Sequence, residues 1–211
     1  MKQGKIAESV LKRSIFKQLH LKRPDVLLAA GIGEDCAAFA VAEDEVAVIS
    51  ADPVIWEDSL DGRCAVHANL NDLAAGGAEP VGLMLTALLP PEIEEAQMRQ
   101  MVQMIAQECE PLQVQILGGH TEVTDAVKRP VVSIAAVGKA KKGMLSTTTG
   151  AKPGDDIVVT KWIALEATAK LARSRREALL SRYPRHLLDD AERFQQYFSV
   201  IPEAATAVKS G

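Results

Sequence analysis

Apolar residues recur along the chain with two periods, and the change from one to the other divides it into elements. Residues 1–20 carry Ile6, Val10, Leu11, Ile15, Phe16 and Leu19 at helical spacing with Lys and Arg between them, which predicts a basic amphipathic helix. Short apolar runs lie at 27–30, 37–41 and 46–50; the last two predict strands, with Glu43-Asp44-Glu45 as a hairpin turn between them. The third run is apolar enough to be central. It ends at Ala51-Asp52-Pro53, which would set Asp52 at a strand's C-terminal edge.

Residues 65–80 predict the helix around which the rest is organised. Val66, Leu70 and Leu73 fall on one face, Asn69 and Asp72 share another, and Gly76-Gly77 stop it. A strand follows at 81–89 and a long helix at 91–110, with Met98, Met101, Val102, Ile105 and Cys109 as its core stripe and Glu92, Glu94 and Glu95 near its N-terminus. A strand at 114–117 runs into a Gly118-Gly119-His120-Thr121-Glu122 turn, and another strand covers 131–137. Residues 138–150 read as a linker. Beyond them come a strand at 157–160, a helix at 163–174 and an exposed connection at 182–190. Strand, strand, helix, strand, helix, strand, strand predicts an α+β (mixed α/β) domain with helices on one face of its sheet.

Composition narrows the chemistry. With 47% hydrophobic and 25% charged residues in 211, the chain can fill a substantial core. A net charge of −4 and 4% aromatic residues speak against a nucleic-acid binder. No apolar run reaches the roughly 18 residues of a membrane span, and no apolar stretch follows the basic N-terminus as in a secretory signal, so a soluble cytoplasmic protein is expected. Cys36, Cys64 and Cys109 lack metal-ligand spacing and fit buried thiols in a reducing compartment.

Asp35, Asp52, Asp72 and Glu122 each follow an apolar run or adjoin a glycine turn. Gathered at one sheet edge, such carboxylates would repel unless divalent cations joined them. All-oxygen ligands with few histidines suit magnesium, which commonly arrives with nucleotide phosphates. The alternative is that the aspartates only cap turns. Gly31-Ile32-Gly33 matches neither a dinucleotide fingerprint nor a Walker loop. His67 and His120 form no zinc-binding pair. His67 reads as a hydrogen-bonded core residue, and His120, after two glycines, as the better functional candidate.

Four motifs in order then resemble the AIR synthase (PurM-like) superfamily. Gly31-Ile32-Gly33-Glu34-Asp35-Cys36-Ala37-Ala38 is similar to its GxGxDAA signature, and Asn69 to Pro80 to its N-x-(N/S)-D-(L/I)-A-x-x-G-A-x-P helix. Gly118 to Thr121 resembles its GG(D/H/E)T turn, and Gly154-Asp155 with Thr160-Lys161 the opening of its second domain. The resemblance implies a PurM N-terminal-like ATP-binding and dimerisation domain over 1–145, and the start of a C-terminal-like domain, cut short, over 146–211. It further implies ATP and Mg2+ as cofactors, a small-molecule substrate activated by the γ-phosphate, and a homodimer.

By the same resemblance, Asp35, Asp52 and Asp72 would hold the metal. Gly31, Gly33, Asn69, Asn71, Gly118, Gly119 and Thr121 would border the nucleotide, and His120, Glu122 and Lys5 would be catalytic. The nearest subgroup is the hydrogenase expression/formation (HypE-like) proteins, with a maturation partner protein among the expectations. Thiamine-monophosphate kinase-like and AIR synthase-like enzymes are the alternatives. His120 stands where thiamine-kinase relatives carry Asp, and the reactive C-terminal cysteine of HypE has no counterpart. From other classes, a non-catalytic dimeric nucleotide-binding or scaffold module and a metal-dependent hydrolase stay open.

Overall fold

A computed structural model describes residues 4–32 and 37–210. Its centre is a five-stranded sheet in the order β1-β6-β5-β7-β4. The strands are β1 (Gly4–Lys5), β4 (Glu45–Ile55), β5 (Glu79–Leu89), β6 (Gln115–Val123) and β7 (Val131–Lys141). A two-stranded hairpin, β2 (Val26–Leu28) with β3 (Ala38–Phe39), stands apart from it. The sheet is mixed: β5 and β6 run parallel, and the other neighbours are antiparallel.

Seven helices are described. They are α1 (Glu8–Val10, continued by a π turn over Leu11–Ile15), α2 (Ser59–Ala75), α3 (Glu95–Cys109), α4 (Leu165–Ser174), α5 (Arg176–Leu180), α6 (Arg185–Arg193) and α7 (Ile201–Ser210). Helix α3 is the crossover that lets β5 and β6 lie parallel. Its stripe of Met98, Met101, Val102, Ile105 and Cys109 is buried against α2 and the sheet. It starts at Glu95 because Glu94 caps it: the Gln97 side chain accepts from the Glu94 backbone N–H at 2.9 Å.

Helix α2 lies across the same face. Ala65, Val66, Leu70 and Leu73 are wholly buried, and the helix touches β4, β7, α3 and α7. The helix begins six residues before the sequence pattern suggests because Asp58 and Asp61 form a capping box. Asp58 Oδ1 accepts from Leu60 N at 2.7 Å, and Asp61 Oδ2 accepts from Asp58 N at 2.9 Å.

Several expectations need correction. Strand β4 is an edge strand and continues to Ile55, so Asp52 sits inside it, opposite Ile134. Pro53 is tolerated there because an edge strand leaves one row of N–H groups unpaired. Gly118 to Glu122 is no turn but the interior of β6, paired with β5 from Met84 to Leu88. The N-terminal pattern gives a short strand and a broken helix, residues 138–141 extend β7, and the connection at 182–190 becomes most of α6 with Leu188 buried. The strand expected at 157–160 does not form. Ile157, Val158 and Val159 stand 95, 82 and 64% exposed with no sheet partner. No described helix is long and apolar enough to cross a membrane.

One face of the sheet carries α2 and α3; the other has no described helix on it. Ile49, Ala51, Pro53 and Ile55 of β4 point to this bare face, in register with Val137, Ala135, Ser133 and Val131 of β7. Ile49 and Ile55 are 67 and 52% exposed.

Candidate functional site

The seam between β4 and α2 brings two of the expected metal ligands together. Asn69, fully buried, accepts from the Asp52 backbone N–H at 2.9 Å and donates to the Ala65 carbonyl at 3.0 Å. One helical turn on, Asp72 Oδ2 accepts from the Ser50 hydroxyl at 2.7 Å. Both polar residues therefore use the same side of α2 against β4, as their spacing predicts, but Asn69 is spent on backbone. Asn71 faces elsewhere: its amide donates to Phe198 O at 2.8 Å and accepts from Val200 N at 2.9 Å, tethering the C-terminal helices to α2.

Asp52, Asn71 and Asp72 border a cleft of about 800 Å³ whose other wall is α4. Lys170 and Arg173 stand three residues apart on that helix and reach across it. Arg173 Nε lies 2.8 Å from Asp58 Oδ2, and Lys170 Nζ 2.8 Å from Glu166 and 3.7 Å from Asp61. The cleft holds six carboxylates (Asp52, Glu57, Asp58, Asp61, Asp72, Glu166) against these two cations. A polyphosphate entering alone would be repelled; one carrying divalent cations would not. The donors are all hard oxygens, which is the chemistry magnesium requires. Cys64, at the floor, has its thiol pushed up to about 12 by burial and then by Glu166, so it is no nucleophile there.

The remaining expected residues lie elsewhere. Lys5, Gly31, Gly118, Gly119, His120 and Thr121 line a second cavity of about 340 Å³, whose other walls are the N-terminal helix and α3, with Leu11, Met98 and Met101 among its lining. Gly119 has φ +146°, and a Cβ there would fall 1.8 Å from the Leu85 carbonyl oxygen, so β5 and β6 approach in a way only glycine permits. Lys5 is registered opposite Glu122, and His120 Nε2 lies 3.2 Å from Glu122 Oε2. Since His120 is in register with Thr86, Thr86 with Ser133, and Ser133 with Pro53, His120 belongs to the bare face of the sheet and Asp52 to the covered one. Three strand spacings, about 14 Å, also separate β6 from β4. Among the described residues no group of three or more metal-binding side chains assembles. Gly33 and Asp35 lie outside the described residues.

A sequence profile described as AIR synthase related protein, N-terminal domain, matches residues 33–140. This chain belongs to the AIR synthase-related family. A Methanocaldococcus jannaschii protein named for hydrogenase expression/formation is 28% identical over 166 residues, 74% of this chain and 48% of that protein. Thiamine-monophosphate kinase of Escherichia coli K12 is 33% identical over 154 residues, 69% of this chain and 45% of the kinase. The crystal structure of thiamine-monophosphate kinase from Stenotrophomonas maltophilia K279a superposes with a TM-score of 0.73 at 26% identity, covering 97% of this chain and 65% of that one. The AIR synthase-related chain thus spans about half the length of the curated relatives it matches.

Within this AIR synthase-related fold, sequence reasoning missed Lys170, Arg173, Asp58 and Asp61. Two signals were available. Asp58 and Asp61 show the spacing of a capping box, and Lys170 and Arg173 recur on one side of a predicted helix.

Proposed function

We propose that this chain is the nucleotide- and magnesium-binding part of an ATP-dependent phosphoryl-transfer enzyme. One observation carries the reading: Asp52 and Asp72, from a strand and a helix, border the same cleft as Lys170 and Arg173. Magnesium bound by Asp52 and Asp72, with Asp35 as the further ligand the family motif suggests, would neutralise phosphate charge and polarise the transferring phosphoryl group. The chain's own residues do the positioning. Asn69 holds the Asp52 backbone and Ser50 orients the Asp72 carboxylate, while the α4 cations face the phosphate path. With Cys64 held as a thiol, catalysis rests on orientation and electrostatics and not on a covalent intermediate.

For the acceptor, a small phosphate monoester of the kind a thiamine-monophosphate kinase uses is supported by the match over 97% of the chain, α4 to α7 included. A second reading, substrate activation of the hydrogenase-maturation type, is favoured by the Methanocaldococcus jannaschii relative. It is favoured too by the pairing of Gly4 and Lys5 with Val123 and Glu122. In both readings a homodimer through the bare sheet face would cover His120 and Glu122, which share the face opposite Asp52.

Calorimetric titration with ATP and magnesium tests the binding site. Asp72→Asn is expected to weaken metal-dependent ATP binding at least about tenfold, through loss of a charged ligand; equal affinity would remove Asp72 from the site. Phosphorus NMR of ATP with thiamine monophosphate then reads turnover. Binding without turnover would favour a non-catalytic module.

A further inference from the structure

Beside the cleft lies a side chamber of about 160 Å³ that shares Cys64, Ala68, Asn71 and Glu166 with it. Its outer wall is aromatic. Trp162 stacks on Phe194 with ring centroids 5.8 Å apart and planes 11° from parallel, and Tyr197 meets Trp162 edge-on at 5.5 Å. Trp162 nevertheless remains 58% exposed.

The backbone holds this indole in a strained turn. Lys161 (φ 56°) and Ala164 (φ 59°) both adopt the left-handed region without being glycine. Such conformations persist where the surroundings impose them. Here the Lys161 ammonium is held by the Ser199 carbonyl and, at 2.8 Å, by Glu203 Oε1. At the inner wall stands His67, whose Nε2 is 3.4 Å from Glu108 Oε2. Burial works against the Glu108 charge, yet hydrogen bonds from His67 and Arg63 keep its carboxyl below the ordinary range. The other ring nitrogen, Nδ1, is buried with no hydrogen-bond partner among the described residues. A wall of exposed aromatic surface on a strained turn is poor protein core, but it suits a flat ring.

We infer that the chamber receives a planar ring stacked on Trp162, while a phosphate group on the same ligand extends into the cleft. The inference rests on the phosphoryl-transfer reading of that cleft. The volume suits one or two fused rings, being about half that of the smallest pocket holding a drug-sized ligand (~300 Å³). The ring is either the base of the nucleotide donor or the ring of the acceptor.

Calorimetry on the parent, Trp162→Ala and Trp162→Phe, with ATP, thiamine monophosphate and tripolyphosphate as probes in the presence of magnesium, decides. ATP or thiamine monophosphate should bind about tenfold more weakly to Trp162→Ala, the loss expected for one stacked ring. Trp162→Phe should stay within about threefold of the parent, and tripolyphosphate should bind all three alike. The same ring ligand should quench indole emission of the parent, which needs no variant to fold. A response to ATP assigns the chamber to the donor's base, and a response to thiamine monophosphate alone assigns it to the acceptor. If neither ring ligand quenches, or if Trp162→Ala binds both as the parent does, the inference is overturned. Tripolyphosphate binding that survives Asp72→Asn would instead count against the phosphate cleft and leave the Trp162 comparison standing.

Discussion

Asn69 is the residue on which fold and site most directly meet, and replacing it separates the two. Its side chain is fully buried, and its Oδ1 is the acceptor for the Asp52 N–H, which faces α2 from an edge strand. In Asn69→Ala that N–H loses its partner at a part-buried seam. The unsatisfied donor costs about 1–3 kcal/mol, and the lost bond and emptied volume add about 1 more. The Ala65 carbonyl matters less, because it keeps its helical hydrogen bond. A total of about 2–4 kcal/mol lowers the melting temperature of a chain this long by about 4–16 °C. Asn69→Leu refills the volume but leaves the N–H orphaned, so it should be nearly as unstable as Asn69→Ala. Ser50→Ala removes a hydrogen bond at the exposed rim of the same seam and should cost less than about 1 kcal/mol. Thermal and urea unfolding read all three. If Asn69→Leu restores parental stability, the loss in Asn69→Ala is one of packing. If both variants melt with the parent, the Asn69–Asp52 bond does not hold β4 to α2.

Glu95 gives a pH signature: hydrogen bonds from Arg13, then Ser14, outweigh partial burial and, with Arg99, hold its carboxyl at about 2, against about 4.3 when unfolded. Its contribution is complete above the unfolded value and lost as pH falls toward 2, so the melting-temperature gap between the parent and Glu95→Gln should close over that window; a pH-independent gap would refute the pairing. Cys64 and Cys109 are buried, with thiols raised by burial, so iodoacetamide should label their peptides only in denaturant, as mass spectrometry would show. Ile49→Lys with Ile55→Lys, on the bare sheet face, should convert a sedimenting dimer to monomer with the melting curve little changed; a parent that sediments as monomer would end the homodimer proposal.

Much of the fold was legible because its signals were periodic. The α3 stripe and the Val66, Leu70 and Leu73 face of α2 follow from spacing alone, and both faces are buried. Errors arose where tertiary pairing overrides local chemistry. Two glycines at 118 and 119 suggest a turn, yet here they allow β5 and β6 to approach closely. A proline after Asp52 suggests a strand end, yet an edge strand accommodates it. The apolar triplet at 157–159 has strand propensity and no strand to join, and propensity without a partner makes no sheet. For the site, the Asn69 and Asp72 pairing against β4 was readable from helical geometry. The α4 cations share one side of a predicted helix, but nothing local shows that this helix, about a hundred residues later, closes the cleft.

Helix α2 shows why a family motif is a poor map of chemistry by itself. Within one and a half turns, Leu70 and Leu73 fill the core, Asn69 holds a neighbouring strand, Asn71 ties down the backbone at 198 and 200, and Asp72 alone turns its charge to the cleft. Its first turn presents Asp58 and Asp61, which cap the helix and at the same time hold the α4 cations. Loss of activity on replacing any of these would look the same in an enzyme assay, although the causes differ in kind. Stability and ligand affinity measured on the same variant tell them apart. Asn69 and Asn71 should lower both, because the strand and the C-terminal helices shift with them, whereas Asp72, exposed and hydrogen-bonded to Ser50, should lower affinity alone. Asp58 should lower stability, since its removal costs a cap, and raise phosphate affinity, since one of the cleft's six carboxylates is gone.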